Sequence, residues 1–419
     1  MDADNIEDIE EQPVSTIPEY VQTRYIHWKK NTKLLYDYLN TNSTKWPSLT
    51  CQFFPDLDTS SDQHRLLLSS FTSSQLPEDE SVYISKISTL KHLNWSSLNN
   101  FDMDEMEFKP DPSVKLPPKN LTTEVSIRFP NGDCNRSRYL PQNPDLIAAA
   151  SSDGSVYIFN KTKHGNSVLR SKSSDDFQAR LFSGSHDAQN LDNFNEAVSL
   201  SWNKHKEGIL GVSYSQGQCN IWDVKKFSRS NILISQPELT VTFDSNGCND
   251  LDWMPMHDSM FIACGESNKL GLFDMRLNGE KEVNSISNYK HEDGINTCKF
   301  NPGNSLLVAS ADTCGRINLW DIRKLDQEPI STMQHGSSIS TIEWNPNIGV
   351  VFASAGQEDG LVKLWDASVG KEIFVHGGHM LGVNDISWDM HDPWLMASVS
   401  NDNTIQIWRP AKNIVSKPS

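Results

Sequence analysis

Cysteine is scarce in this chain. Only seven of its 419 residues are cysteines, at positions 51, 134, 219, 248, 264, 298 and 314. No Cys-x-x-Cys pair occurs among them, whereas zinc clusters and disulfide frameworks need closely grouped or paired cysteines. We therefore expect no metal site, no disulfide framework and a reducing compartment.

Positive charge is also in short supply. Lysine and arginine number 37 against 54 acidic residues, so the formal net charge is −17. A protein that grips nucleic acid by its own surface is usually basic, because binding depends on releasing counterions from the phosphates. An acidic surface favours basic partners instead and is repelled by anionic membranes. We expect neither direct nucleic-acid binding nor membrane association.

Long apolar runs and catalytic signatures are absent as well. No stretch approaches the roughly 18–20 apolar residues of a membrane span. The sequence contains no GxSxG elbow, Walker loop, GxGxxG or HExxH motif. Hydrophobic residues nevertheless make up 37% of the chain, enough for a sizeable core. These features predict a globular protein that is not an enzyme and binds no cofactor.

What the sequence does contain is a repeat. Pairs of aromatic residues recur, the two members twenty or twenty-one residues apart, in units of about 43 to 51 residues. The first member usually precedes a turn, and the second ends an alternating strand and is usually followed by Asp. The pairs are Tyr139 and Phe159, Trp202 and Trp222, Trp253 and Phe273, Phe300 and Trp320, Trp344 and Trp365, and Trp388 and Trp408.

This repeat resembles the WD repeat, in which each unit is one four-stranded propeller blade. Six units cover about residues 123–409, and residues 46–90 are expected to supply a seventh. We predict an all-β, seven-bladed WD-repeat propeller over 46–410, closed by a strand at 48–53 that pairs with the last blade. The remaining predicted segments are an acidic disordered tail (1–15), an N-terminal helix and connection (16–45), an acidic insertion (about 91–120), a second insertion (about 161–190) and a C-terminal tail (411–419).

The N-terminal helix is predicted from Pro18 to Leu39 and is expected to pack on the side of the propeller. Apolar or near-apolar residues recur at steps of four and three, which makes one stripe on a helix. Leu34 and Tyr38 lie off that stripe, so they either widen the packing face or leave a second stripe for a partner helix. The main stripe is Val21, Tyr25, Trp28, Thr32, Leu35 and Leu39.

Several histidines and aspartates could suggest metal binding or catalysis, but the repeats favour a structural role. Each histidine stands nine residues before a first aromatic, and each aspartate six residues before a second. In WD repeats such residues form a buried hydrogen-bonded set with a Ser or Thr and the Trp, and buried polar groups must be satisfied. Cys314 occupies the aspartate position of one repeat, so we expect an incomplete network there. The predicted network residues are His291, His335, His379, Asp153, Asp359, Asp402, Trp320, Trp365 and Trp408.

Four segments carry a more specific resemblance. They are residues 28–37 (WKKNTKLLYD), 45–50 (KWPSLT), 135–144 (NRSRYLPQNP) and 375–379 (VHGGH). Together they are similar to the histone-binding WD-repeat family related to the retinoblastoma-binding proteins, in particular its fungal chromatin-assembly branch. This resemblance spans nearly the whole chain and implies a non-catalytic protein.

The family resemblance implies two binding surfaces, the first of which is a groove between the N-terminal helix and a loop of the penultimate blade. In the family this groove takes a histone helix. The loop is shortened here, because only residues 366–378 separate Trp365 from His379 and none is proline. The matching positions are Leu34, Leu35, Tyr38, Phe374, Val375 and Asp366.

The second surface is the top of the propeller, where the family can hold an Arg- or Lys-rich peptide such as a histone tail. Its positions lie six and four residues before each first aromatic, with some neighbours. Carboxylates suit a cationic peptide because charge-assisted hydrogen bonds are strong; the alternative is that they are ordinary solvated turn residues. The predicted residues are Asp133, Asn135, Glu196, Asn249, Asp250, Glu266, Asn296, Asn384 and Asp385.

The resemblance implies a subunit of a histone chaperone complex that deposits core histones during replication-coupled nucleosome assembly. The implied partners are the histones of the central tetramer and the larger subunits of chromatin assembly factor 1. The implied location is the nucleus, with room for a cytoplasmic pool. The alternative is a WD-repeat scaffold or adaptor in another complex, such as a histone-modifying, ubiquitin-ligase or signalling assembly, since a propeller alone does not decide its partner.

Overall fold

The computed structural model describes residues 17–58, 63–89, 101–102, 107–108, 120–164, 177–182, 195–228, 232–277, 284–287 and 291–415. Within them, seven antiparallel sheets form a propeller, as the repeat predicted. The predicted tail 1–15 lies outside the described residues, as do most of the two predicted insertions. Of the acidic insertion, only the paired strands Phe101–Asp102 and Glu107–Phe108 are described.

Blades 1 to 4 each begin with an inner strand at the central channel and continue outward through three antiparallel partners. The outer strand of blade 2 falls inside the predicted second insertion, and a short parallel strand, Leu233–Ile234, pairs with it. The strands are Cys51–Asp58, Gln63–Ser69, Ser81–Ser88 and Thr122–Arg128 (blade 1); Cys134–Leu140, Asn143–Ser151, Val156–Asn160 and Ala179–Leu181 (blade 2); Ala197–Trp202, Ile209–Tyr214, Gln218–Asp223 and Leu239–Thr242 (blade 3); and Cys248–Trp253, Met260–Gly265, Lys269–Asp274 and Asn284–Ser287 (blade 4).

Blades 5 to 7 follow the same order, and blade 7 closes the ring. Short 3-10 turns follow the third strands of blades 2 to 5, at Lys161–Lys163, Val224–Lys226, Met275–Leu277 and Ile322–Lys324. The strands are Ile295–Asn301, Asn304–Asp312, Arg316–Asp321 and Ser331–Gln334 (blade 5); Ile339–Trp344, Val351–Gly356, Val362–Asp366 and Lys371–His376 (blade 6); and Val383–Trp388, Met396–Ser400, Thr404–Pro410 and Tyr36–Ser43 (blade 7).

The closing strand corrects two predictions. Tyr36–Ser43 pairs with Thr404–Pro410 as the outer strand of blade 7, with Leu39 opposite Trp408. The predicted closing strand at 48–53 contributes instead to the inner strand of blade 1, Cys51–Asp58. Without an outer strand, the third strand of blade 7 would expose an unpaired edge, so pairing there overrides the helical spacing of this segment.

The N-terminal helix, α1, spans Glu19–Leu35 and ends four residues earlier than predicted. Tyr36 is already extended, and its N–H donates to the carbonyl of Thr32. From there, burial alternates along the strand, with Tyr36, Tyr38 and Asn40 buried. Positions 35 and 39 satisfied the four-residue spacing of a helix, but the alternation from 36 to 40 is the signature of a half-buried strand. The predicted C-terminal tail contains one further short helix, Lys412–Val415.

Candidate functional site

Helix α1 is held to the propeller by a buried chain of polar and aromatic groups. Trp28 Nε1 donates to the Tyr36 hydroxyl (2.8 Å), and that hydroxyl lies 2.8 Å from Nδ1 of His376. The His376 ring stacks on Trp408, with ring centroids 4.4 Å apart. Burial lowers the pKa of His376 well below its ordinary value, aided by His379. The neutral imidazole therefore serves as a fixed acceptor that joins α1 to blades 6 and 7.

A second set of contacts fixes the direction of α1. The guanidinium of Arg24 donates to the backbone carbonyls of Asp359 and His379, the latter at 2.6 Å. A Cβ at Gly377 would approach the Trp28 ring to 3.3 Å, so a larger residue would press on the helix. Val21, Trp28 and Thr32 of the predicted stripe are buried, which confirms it as the packing face.

The predicted side-groove residues divide between the surface and the core. Leu34 is 72% exposed, although it is a large apolar side chain. Leu35 packs against the core cluster that contains Phe374, which is itself buried edge-on to the Tyr36 ring at 5.4 Å. Val375 is half-buried. The structure brings Leu35 and Phe374 together and leaves Leu34 open to solvent.

Tyr38 is a correction to the predicted groove. It lies on the closing strand rather than on α1 and is buried in the core between blades 7 and 1. Its place inward follows from strand alternation, because residues two apart share a face. Tyr38 therefore supports the ring and is not accessible to a partner.

The shortened loop before Phe374 is a tight turn between the third and outer strands of blade 6. Asp366 accepts hydrogen bonds from the N–H (2.9 Å) and hydroxyl (2.5 Å) of Ser368. Glu372 lies 3.2 Å from the amine of Lys363. Both acids of the turn thus have local partners, so the apolar part of the groove is its more available half.

On the predicted top of the propeller, which we call the upper face, the asparagines bind neighbouring blades. Each side-chain amide donates to a backbone carbonyl at the start of the next blade. Ser340 makes the equivalent bond to Val383 (2.6 Å), whereas blade 3 has Val198 at this position and no polar side chain there. The pairs are Asn135 to Ala197 (3.0 Å), Asn249 to Ile295 (3.1 Å), Asn296 to Ile339 (2.8 Å) and Asn384 to Ser48 (3.0 Å).

Asp133 is likewise engaged in the fold. It is buried and accepts from the N–H (2.8 Å) and hydroxyl (2.9 Å) of Ser74 in blade 1. Nearby Glu80 accepts from the N–H of Thr72. Burial raises the pKa of Glu80 to about 7, and Asp133 adds to the shift. The pair stabilises the loop between the second and third strands of blade 1.

Asp250 and Asp385 correct the predicted peptide site, because both are buried inside the channel. Asp385 accepts from the N–H of Cys51 (2.8 Å) and lies within 3.1 Å of Arg136 and Arg138. Asp250 accepts from Ser199 (2.8 Å) and Thr297 (2.8 Å), and its carboxylate lies 2.6 Å from the amine of Lys299. Their bonding capacity is used within the protein, so they are not placed to receive a peptide on the surface.

Two predicted carboxylates do remain exposed on the upper face. Glu196 stands at the start of blade 3, and Glu266 follows the second strand of blade 4. Glu266 accepts from Asn249 at 2.9 Å and would lie 2.6 Å from a Cβ at Gly294. The glycine therefore makes room for this carboxylate. Glu196 and Glu266 are the part of the predicted peptide site that the geometry leaves accessible.

Comparison with known proteins assigns the family. A family model for histone-binding protein RBBP4, or the corresponding member of the CAF1 complex, matches residues 23–91, and one for the WD domain, G-beta repeat, matches 370–409. A model for eukaryotic translation initiation factor eIF2A matches 189–357. Histone-binding protein MSI1 of Saccharomyces cerevisiae is 61% identical over 410 residues, which covers 96% of each chain. The chain belongs to the RBBP4-like family of histone-binding WD-repeat proteins.

The RBBP4-like match falls on the part of the chain that departs from a plain repeat. Residues 23–91 contain most of α1, the closing strand and the first three strands of blade 1. The eIF2A match covers blades 3 to 5 and half of blade 6, and it includes neither α1 nor the closing strand. The family assignment therefore rests on the same segment that carries the exposed Leu34.

Blades 5 and 6 show the buried hydrogen-bonded set of the WD repeat. His291 lies 2.7 Å from Ser310 and 2.8 Å from Asp312, and Trp320 donates to Ser310. Asp312 completes this network, so the predicted gap at Cys314 was wrong. In blade 6, His335 and Trp365 meet at Ser354, while the Asp359 carboxylate is 3.5 Å from His335.

Blades 7 and 2 complete the predicted network residues. His379 lies 2.7 Å from Ser398, to which Trp408 donates at 3.2 Å. Despite burial, His379 and Thr404 hold the pKa of Asp402 below its ordinary range. Asp153 of blade 2 accepts from the Tyr157 hydroxyl at 2.8 Å instead of facing a histidine. These contacts account for the histidines and aspartates as blade structure.

The channel holds charged residues that the sequence reasoning missed. Glu343, for example, faces the channel, and burial raises its pKa to about 8. These residues stand one or three positions before the first aromatics, whereas the prediction used positions six and four before. Strand alternation from each aromatic could have found them. The missed residues are Arg136, Arg138, Asp252, Lys299 and Glu343.

Two further observations bear on function. Within the described residues, no cluster of three or more His, Cys, Asp or Glu is arranged to bind a metal ion. The part of the chain that the structure describes also has no helix long and apolar enough to span a membrane.

Proposed function

We propose that this protein is a histone-binding subunit of a chromatin assembly complex. The identity to histone-binding protein MSI1 over nearly the whole chain carries the proposal. The exposed Leu34 on an otherwise anchored helix supports it, because a rigid apolar residue beside a packed groove suits an incoming amphipathic helix. The net charge of −17 favours a basic partner such as a histone.

The proposed partners are the histones of the central tetramer and the larger subunits of chromatin assembly factor 1. The proposed role is deposition of core histones during replication-coupled nucleosome assembly, in the nucleus and with a cytoplasmic pool. The protein's own contribution is non-catalytic. The buried histidines support this, since His291, His335 and His379 are all bonded within their blades.

The upper face is proposed to contact an Arg-rich histone tail through Glu196 and Glu266. Both are exposed, and neither is part of an ion pair among the described residues. Glu196→Lys should weaken binding of an H3 tail peptide about tenfold, because it replaces a favourable charge by a repulsive one. Asp326→Lys, an exposed acid on the outer turn of blade 5, is the charge-matched control. Equal loss in both variants would contradict the assignment of this face.

The direct experiment is a pull-down of purified histones H3 and H4 by the full-length protein, with recovery of its partners from nuclear extract. Binding at modest salt that weakens as salt rises is expected, because exposed charge pairs are screened. Recovery of the larger chromatin assembly subunits would identify the complex. Failure to bind histones, together with recovery of a ubiquitin-ligase or signalling assembly, would favour the scaffold alternative.

A further inference from the structure

The inner strands place two rings of polar residues around the channel. The upper ring lies three residues before each first aromatic and contains Arg136, Asp250 and Asp385. The lower ring lies one residue before and contains Arg138, Asp252, Lys299 and Glu343. The other positions carry Ser, Thr or Gln. Such an arrangement of opposite charges in one channel raises the question of which charges neutralise each other.

Below the upper ring the channel widens into a cavity of about 390 Å³. It reaches the lower face, where the inner strands end, and its mouth there includes Pro346 and the half-exposed Met390. Its walls include Tyr139, Phe300 and Trp344. Pockets that hold small molecules have volumes of about 300–1,000 Å³, so this lower cavity is large enough for a ligand group.

All three basic residues of the rings pair with the upper carboxylates. Arg136 and Arg138 contact Asp385 at 3.1 and 2.9 Å, and Lys299 contacts Asp250 at 2.6 Å. These cations therefore point toward the upper ring. The two carboxylates of the lower ring must find other partners.

Asp252 and Glu343 accept hydrogen bonds from neutral groups. Asp252 accepts from the Ser201 hydroxyl (3.0 Å) and the N–H of Phe300 (2.9 Å), and Glu343 accepts from the N–H of Trp388 (3.0 Å). Among the residues that the structure describes, no basic side chain forms an ion pair with either carboxylate. Both retain partial exposure and line the cavity.

Their electrostatic surroundings favour an added cation. Burial raises the pKa of Glu343 to about 8; Arg138 and Lys299 oppose this shift, and Asp385 adds to it. Burial also raises the pKa of Asp252, against Lys299 and Lys204. A buried carboxylate without a paired cation is destabilised in its ionised form, and an incoming positive charge would stabilise it.

We propose that the lower cavity binds one arginine side chain presented by a partner polypeptide. A guanidinium is planar and stacks on aromatic rings, and its several N–H groups can reach more than one carboxylate. The lower face around the mouth also presents the exposed apolar residues Met256, Val350 and Met390 to the flanking residues of that partner. The site is separate from α1 and from the upper face, and it does not depend on histone binding.

Capped arginine, N-acetyl-L-arginine methylamide, is a direct probe for calorimetric titration into the full-length protein. Its uncharged analogue, capped citrulline, has nearly the same shape and is expected to bind at least about tenfold more weakly, since charged pairs form the stronger hydrogen bonds. Glu343→Gln should weaken capped arginine by about tenfold or more, while the upper-face control Glu196→Gln should leave it within about twofold. Glu343→Gln keeps the shape of the protonated carboxyl, so its thermal midpoint should match that of the parent.

The affinity should also respond to pH. Wild-type affinity for capped arginine is expected to rise from pH 7 to pH 9 as Glu343 ionises, with Arg138, Lys299 and Asp385 as its charged neighbours. The Glu343→Gln variant should show no such rise. No binding of capped arginine, equal binding of capped citrulline, or unchanged affinity in folded Glu343→Gln would each overturn the proposal. A loss in Glu196→Gln as large as in Glu343→Gln would move the site to the upper face and overturn it too.

Discussion

Replacing Asp385 by Asn should destabilise the ring at its closure. Asp385 belongs to blade 7, accepts from Cys51 of blade 1 and pairs with Arg136 and Arg138 of blade 2. It therefore joins the last blade to the first two through one carboxylate. Asparagine keeps the size of the side chain but removes the negative charge from between two guanidiniums.

The expected loss can be worked out from that geometry. Breaking a buried ion pair by removing one partner costs about 3–5 kcal/mol, because the remaining charge is left uncompensated. Asp385 is 1% exposed, while the side chains of Arg136 and Arg138 are 16% and 20% exposed. Because solvent relieves part of the arginine charge, we expect a loss near the lower end, about 3 kcal/mol.

Urea denaturation at pH 7 measures this loss as a change in the free energy of unfolding. Asp326→Asn, an exposed acid of the outer turn of blade 5, is the matched control and should change that free energy by less than about 0.5 kcal/mol. Although burial raises the pKa of Asp385, Arg138 and Arg136 outweigh it and hold the pKa below its usual range. The wild-type advantage over Asp385→Asn should therefore persist above about pH 4 and vanish as pH falls through the folded pKa. A variant as stable as the control at pH 7 would refute the closure role.

Three further predictions test other parts of the structure. Tyr36→Phe should destabilise the attachment of α1 by about 1–3 kcal/mol, seen as faster amide exchange over 19–35, because it removes the hydroxyl between Trp28 and His376; the exposed Tyr20→Phe should leave exchange unchanged. Ser354→Ala should lower the free energy of unfolding by about 1–3 kcal/mol by leaving buried Trp365 and His335 without their shared partner, and equal stability to the parent would contradict the network. Glu80→Gln should lose less stability than the parent between pH 5 and pH 8, by about 1–3 kcal/mol, because a folded pKa raised to about 7 means that ionisation at higher pH opposes folding; parallel stability curves would refute this.

The sequence predicted the number of blades because each blade repeats a local pattern of strands and aromatic residues. It misplaced the closing strand because Tyr36–Ser43 satisfies the four-residue spacing of α1 at positions 35 and 39, while its pairing partner lies more than 360 residues away. Such a long-range pairing has no signal in the local sequence. Tyr38 was assigned to the groove for the same reason.

The binding surfaces were only partly predictable. Exposure of Glu196 and Leu34 follows from their positions, but Asp250 and Asp385 differ from surface acids only through partners on other blades. Asp312, two residues before Cys314, could serve His291 because the turn brings it within 2.8 Å. In each case the deciding contact joins strands whose relative placement depends on the closed ring.

The most direct test of the account is the affinity of the full-length protein for purified H3–H4, compared between two variants. Leu34 on α1 and Met256 on the lower face are both 72% exposed, so either residue can become Asp with little change in stability. We expect the parent and Met256→Asp to bind equally and Leu34→Asp to bind at least about tenfold more weakly, because a charge replaces an apolar anchor. A parent that does not bind, or equal affinities for all three proteins, would contradict histone recognition through this helix.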